Sequence, residues 1–459
     1  MHSVQCVSVL TMCVVLDGEE RGRYACFSDA ESVQSPRMRR YCEAKMPLAE
    51  TYTPLPDAQL VHVQVYARHG DRSPLHLPTS PVWDCARSAA SATKVSPCTE
   101  PAELTRRGHL AMMRFGTQLR RIYVDLLKFM PDVIADEHLL HVRATSRTRT
   151  QHSALALALG LYPTATRAQR HVLSMLVLDD EVDSLLGGTV GVCKAKSEAL
   201  GADLMQDPVF RHFQQHIAAP VSQKLVQIVA KSSDPTLASR ISVPLALDAL
   251  HTRYCHDLPL PPCSDPGCTT DLLFEQALAH LAQERRLLHR ELAKSAEYNR
   301  IEAGSLLAEL RDGMLQAVPA NTDHPTKMQL FLGHDDGIYA LLGLFHATRF
   351  DEPPYGANFV IELWKDNAPL PGQTESVSSI TSLGIPTDYW VRILYNGKPL
   401  QVDGDWCDFN AGCSLHAFLT FINHGKTLDE PGVECSSKSA PITSTRPRGL
   451  AAILPWADD

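Results

Sequence analysis

The stretch Arg68-His69-Gly70-Asp71-Arg72-Ser73-Pro74 places two guanidinium groups and an imidazole within one short turn. A guanidinium is a planar fork that donates to two oxygens of one anion and stays charged throughout the working pH range. Forks of this kind suit a phosphate monoester, whose negative charge calls for several cations held together against their own repulsion. A neutral imidazole can attack phosphorus directly, and the departing alkoxide then needs a proton from a second group. His69 is placed for the attack. A second polar turn, Gly333-His334-Asp335-Asp336-Gly337, offers Asp335 as the acid and His334 as a further donor to developing charge. The basic run Arg143-Ala144-Thr145-Ser146-Arg147-Thr148-Arg149-Thr150 adds cations, although spacing alone does not choose among its arginines. Each piece has a plainer reading: Arg-His-Gly as a polar turn, His-Asp as a helix cap, the basic run as a solvated face, with Arg147 the best fit to the last. The combination at strand ends favours chemistry.

The elements that must hold these groups follow from periodicity. Val61, Val63 and Val65 alternate with His62, Gln64 and Tyr66, which predicts a strand running straight into the Arg-His-Gly turn. Ligands of open α/β sheets bind at such carboxyl ends. A helix is expected from Glu103 to Tyr123, with Leu104, Leu110, Phe115, Leu119 and Ile122 near helical spacing. A strand at Leu139–Val142 and an apolar helix at Ser153–Leu161 come next. Further strands are predicted at Met328–Gly333, Ala357–Trp364 and Tyr389–Tyr395. Residues 165–320 differ in texture, being largely helical with a long charged helix around Leu272–Leu310 and a Pro/Cys loop at His256–Cys268. The expected fold class is therefore α/β, with a central, mainly parallel sheet flanked by helices. The catalytic core would comprise residues 56–164 and 321–435, with a mainly helical cap inserted at 165–320, an irregular lead-in at 18–55 and an irregular tail at 436–459.

Composition sets the outer limits. The chain has 459 residues, 44% of them hydrophobic and 21% charged, which is ordinary for a globular protein with a sizeable core. A formal net charge of -9 argues against a sequence-independent grip on nucleic acid. Thirteen cysteines without paired CxxC spacing favour disulfides in an oxidising compartment over zinc, with the connectivity left open. Residues 1–17 include a short apolar run that reads as a weak secretory signal or a trimmed anchor, so any membrane association would pass through the N-terminus.

The same residues resemble the histidine acid phosphatases. Arg68 to Pro74 matches that family's signature, and the match extends through Glu103-Leu104-Thr105 with Gly108, Arg149-Thr150 with Ser153-Ala154, His334-Asp335, and Tyr355 to Trp364. It covers most of residues 60 to 435 and is weakest across the helical insertion. The resemblance implies His69 as nucleophile, Asp335 as proton donor, and Arg68, Arg72, Arg149 and His334 as phosphate ligands, with no metal and no cofactor. It is the family's Arg-Thr step that selects Arg149. The cysteines near Asp84, Pro97 and Pro262, together with Val391–Gly397, resemble the branch that dephosphorylates xylose 2-phosphate in the proteoglycan linkage region of the Golgi. The implied partner is a phosphorylated small molecule, glycan or glycopeptide in the secretory pathway. Alternatives are lysophosphatidate, phytate, or a relative that binds phosphate without turnover. Asp336-Gly337 departs from the family pattern, and a second carboxylate there should raise the pKa of Asp335.

Overall fold

The computed structural model describes residues 13–15, 24–26, 41–75, 83–86, 95–134, 136–163, 175–189, 193–206, 208–231, 233, 238–263, 268–281, 296–318, 326–347, 352–367, 386–423 and 435. Its centre is an eight-stranded sheet formed by β1 (Ala58–Arg68), β2 (Leu140–Ala144), β3 (Met175–Leu176), β4 (Met328–Gly333), β5 (Asn358–Asp366), β6 (Tyr389–Tyr395), β7 (Lys398–Pro399) and β8 (Cys413–Ser414). The order is β7-β6-β5-β1-β4-β2-β3, with β8 paired to β6. Strands β1, β4, β2 and β3 run parallel, while β5 runs antiparallel to both β1 and β6. Strands β1 to β4 and β6 thus share one direction, and the sheet is mainly parallel.

The alternation that predicts β1 has an unexpected cause. Its polar positions are not solvated: from Val63 to Arg68 every residue is buried, as is His62, because helices cover both faces. On one face Val63, Val65 and Ala67 pack with Phe115, Leu119 and Leu157. Those partners belong to helices α1 (Arg106–Arg120) and α2 (Thr148–Leu161). On the other face Tyr66 packs with Leu306, Leu310 and Ile338. The Gln64 amide nitrogen and the His62 ring have partners inside the fold. The Gln64 amide donates to Leu310 O and Gln329 Oε1, both at 2.8 Å, and His62 Nδ1 lies 2.8 Å from Thr326 O. Each large apolar side chain buried in this way contributes about 1.5–3 kcal/mol.

Between β3 and β4 the described elements are helical: α3 (Lys194–Met205), Pro208–Phe213 with Gln214–Ala218, α4 (Ala219–Lys231), α5 (Val243–Cys255), residues 270–281 and α6 (Ala296–Ala317). Leu225, Ile228, Ala246, Leu250 and Phe274 form a small core of their own there. Met175 and Leu176, within the stretch read as helical, instead pair with Val142 and Arg143 at the sheet edge. A two-residue strand has no period to detect. The expected helix over Leu272–Leu310 is described only in part, since residues 282–295 lie outside the described residues, as does the tail from 436 to 459. Near the N-terminus, Cys13–Val15 pairs antiparallel with Tyr24–Cys26, and the rest of 1–17 lies outside the described residues. After β4 come α7 (Asp335–Leu344) and, beyond β8, α8 (Leu415–Asn423).

Disulfides among the described residues join Cys42 to Cys255, Cys85 to Cys98, Cys193 to Cys435, Cys263 to Cys268 and Cys407 to Cys413. Such bonds belong to an oxidising compartment. No described helix is long and apolar enough to cross a membrane.

Candidate active site

Strand register builds the site. Arg68, the last residue of β1, pairs with Gly333, the last of β4, and Ala144 at the end of β2 lies opposite Leu332. The three parallel strands therefore end level, and the next residues, His69 and His334, emerge side by side with ring centroids 5.6 Å apart. The predicted compact turn after β4 is shorter than expected: His334 stands at the N-cap position of α7, without a side-chain capping bond, and Asp335 is the helix's first residue. Likewise Arg149 does not extend the second strand but lies in the first turn of α2, which starts at Thr148 rather than Ser153. Both helices thus point their positive, N–H-rich ends toward this edge of the sheet.

The turn after β1 is locked onto α1. Thr105 caps that helix by accepting from Gly108 N at 3.1 Å, and its backbone N–H donates to Asp71 O at 3.0 Å. The Thr105 hydroxyl also donates to the Asp71 carboxylate. Gly108 is required by this approach, because a Cβ there would lie 2.1 Å from Asp71 O. Gly70 N donates to Ser153 Oγ at 3.0 Å, and Ser153 in turn donates to Arg149 O at 2.7 Å, which links the turn to α2.

His69 is buried, and its Nδ1 lies 2.8 Å from Gly70 O. A carbonyl only accepts, so Nδ1 carries the hydrogen and Nε2 keeps a lone pair. Burial, followed by the charges of Arg149, Arg68, His334 and Arg72, holds the ring's pKa well below the ordinary histidine value. His334 is held neutral in the same way by burial, then by Arg149 and Arg147, and its Nε2 is 3.1 Å from Thr145 Oγ1. Asp335 lies 3.3 Å from Arg68 Nη2, and the guanidinium also donates to Pro353 O at 2.6 Å and Tyr41 Oη at 3.2 Å. Arg72 donates to Asp248 Oδ1 at 2.9 Å. The structure thus brings His69, Arg68, Arg72, Arg149, His334 and Asp335 to one place. Arg143 points elsewhere, into a buried pair with Asp183 and a contact with Glu309, and Arg147 pairs with Asp180 at 3.1 Å. Asp336 is half-buried, and its charge adds to the burial that raises the pKa of Tyr66.

Several participants escaped the sequence reading. Tyr41, from the lead-in, stacks on His251 with centroids 4.2 Å apart. Asp248 accepts from Leu75 N at 2.8 Å as well as from Arg72, and His256 Nε2 lies 2.7 Å from Asp71 Oδ2. Asp248, His251 and Cys255 share one face of α5, at i, i+3 and i+7. Polar residues on the inward face of an apolar helix were the available signal. Tyr355 completes the surround: its ring centroid is 5.8 Å from that of His69 and 4.6 Å from Arg68 Cζ. The cluster of Cys85, Cys98 and Glu103 offers no thiolates to a metal, because the two cysteines are bonded to each other.

Level parallel strand ends, two helix N-termini and a set of arginines around neutral imidazoles define an α/β protein with a cationic cluster, suited to an anion, at the carboxyl edge of its sheet. Comparison with known proteins narrows this. Residues 59–396 match the model of the histidine phosphatase superfamily (branch 2), and the chain belongs to that family. It is similar to 2-phosphoxylose phosphatase 1 of Mus musculus, at 25% identity over 79% of this chain and 77% of that protein. It is also similar to Counting factor 60 of Dictyostelium discoideum, at 24% identity over 83% and 88%. Among solved structures, the apo form of Hafnia alvei phytase has the same fold, with a TM-score of 0.55 and 15% identity over 81% of this chain and 98% of that one. The Bifidobacterium longum multiple inositol polyphosphate phosphatase complexed with inositol hexasulfate gives 0.53 and 13% over 86% and 99%. The protein is a phosphoric monoester hydrolase.

Proposed function

We propose that the chain hydrolyses a phosphate monoester through a phosphohistidine on His69. The observation that carries this is the neutral His69 ring, tied by Nδ1 to Gly70 O and ringed by arginines, which leaves a lone pair on Nε2. In the first step Nε2 bonds to phosphorus and the P–O ester bond breaks, while Asp335 gives its proton to the leaving oxygen. In the second step water attacks phosphorus, the P–N bond breaks, and Asp335 takes the proton that water loses. Arg68, Arg72, Arg149 and His334 hold the phosphoryl oxygens, where fixed donors stabilise charge as it spreads. The helical segment between β3 and β4 acts as a cap whose α5 face braces the phosphate turn.

The substrate in this reading is a phosphorylated sugar or glycan of the secretory pathway, such as a xylose 2-phosphate. The names of the 2-phosphoxylose phosphatase relatives and the disulfide set support that choice. The test is His69→Ala assayed with an aryl phosphate, paired with a search for acid-labile phosphate on His69 in the unmodified protein. Turnover should disappear in the variant while its melting temperature holds. Full activity in the variant would overturn the mechanism, and preference for phytate or lysophosphatidate over a xylose 2-phosphate glycopeptide would overturn the substrate.

A further inference from the structure

We propose that the Tyr355 hydroxyl is a further ligand of the bound phosphoryl group, a role that rests on the reading of the cationic cluster given above. Tyr355 is 2% exposed, and its hydroxyl has no hydrogen-bond partner among the described residues. Leaving a buried hydroxyl unpaired costs about 1–3 kcal/mol, so a persistent one points to a partner that comes and goes.

The backbone around Tyr355 holds the ring firmly. Its N–H donates to Tyr41 O at 3.0 Å, its carbonyl accepts from Ala44 N at 2.8 Å, and the next residue, Gly356, donates to His69 O at 3.0 Å. The ring therefore travels with the nucleophile's own peptide. His69 has the rings of His334 and Tyr355 as neighbours, with centroids at 5.6 and 5.8 Å, and the Tyr355 ring also lies 4.6 Å from Arg68 Cζ, so Tyr355 stands beside both the nucleophile and one of its arginines. The charges acting on the hydroxyl are those of the pocket: after burial, Arg72 has the largest influence, followed by Tyr41, Asp248 and Arg68. Burial drives its pKa well above the ordinary tyrosine value, so the group remains a donor across the working range of a phosphatase. A neutral O–H among arginines adds a directed hydrogen bond without adding to their mutual repulsion.

Tyr355→Phe in the full chain removes the oxygen alone. Competitive inhibition by inorganic phosphate and by vanadate should weaken by about tenfold or more, the usual effect of losing a hydrogen bond to a charged group. The melting temperature should hold or rise, since the folded protein loses an unpaired buried group. Unchanged phosphate inhibition would overturn the proposal. So would a fall in melting temperature that accounts for the lost affinity, because that would reveal a structural partner for the hydroxyl. If the variant binds phosphate weakly but no phosphohistidine forms in the unmodified protein, the ligand assignment stands and the covalent mechanism fails.

Discussion

Three arginines within one basic run end in three different surroundings, and this separates their expected effects. Arg149 acts on both His69 and His334. Its replacement by Ala should lower kcat/KM by about 10- to 150-fold with little change in stability, the range expected for a lost contact to a charged group. Arg143→Ala leaves the carboxylate of Asp183 buried without its cation, which should destabilise the fold by about 3–5 kcal/mol. Arg147 and Asp180 are about one-third exposed, so Arg147→Ala should change stability by about 1 kcal/mol or less. Denaturant titration and steady-state kinetics on the three variants check the order. Residue types and short motifs single out His69, Arg68, Arg72, His334 and Asp335 as candidates, and the fold gathers them at one edge of the sheet. Such motifs could not find Asp248, His256 or Tyr41, because nothing near those residues in sequence shows that α5 and the lead-in fold back over the turn after β1.

At the scale of elements, periodicity located the strands well where they are long and buried. Met328–Gly333 and Tyr389–Tyr395 fall where the pattern put them. Helix starts were less legible, because α2 and α7 begin on polar residues that look like loop: Thr148, Arg149 and Thr150 in one, His334 and Asp335 in the other. Those polar first turns are the parts that face the pocket. The packing of α1 on the turn after β1 is equally local and equally strict. Gly108→Ala would drive a methyl group into the backbone of Asp71. The expected cost is about 1–3 kcal/mol of stability, as for other overpacked sites. Activity should fall further than stability, since the displaced peptide carries His69 and Arg72. A variant with full activity and an unchanged melting temperature would show that α1 can move away freely.

The whole molecule buries neutral histidines, and this sets its response to acid. Burial depresses His62 to about 4 and His251 to about 3 from the ordinary 6.5, with Arg68 and Arg72 assisting at His251. Above pH 6.5 the folded and unfolded chains both carry these rings neutral, so they make no difference to stability. Below it the unfolded chain takes up protons that the folded one refuses, and stability falls as pH drops from 6.5 toward about 4. For His62 alone the loss reaches about 3 kcal/mol. His62→Gln should flatten the fall in melting temperature between pH 6.5 and 4, and an unchanged slope would show that the ring titrates freely in the fold.

The level ending of β1 and β4 has a consequence for how such a chain can change. The gap between His69 and Asp335 is set first by one pair of neighbouring strands, Arg68 against Gly333. Most of the chain between β3 and α6 can therefore be lengthened, shortened or exchanged without moving those two side chains apart. The exception is the face of α5 bearing Asp248, His251 and Cys255, which is fastened to the pocket by an ion pair, a stacked ring and a disulfide. A transplant of new substrate preference into this scaffold would keep that single helix and replace its surroundings.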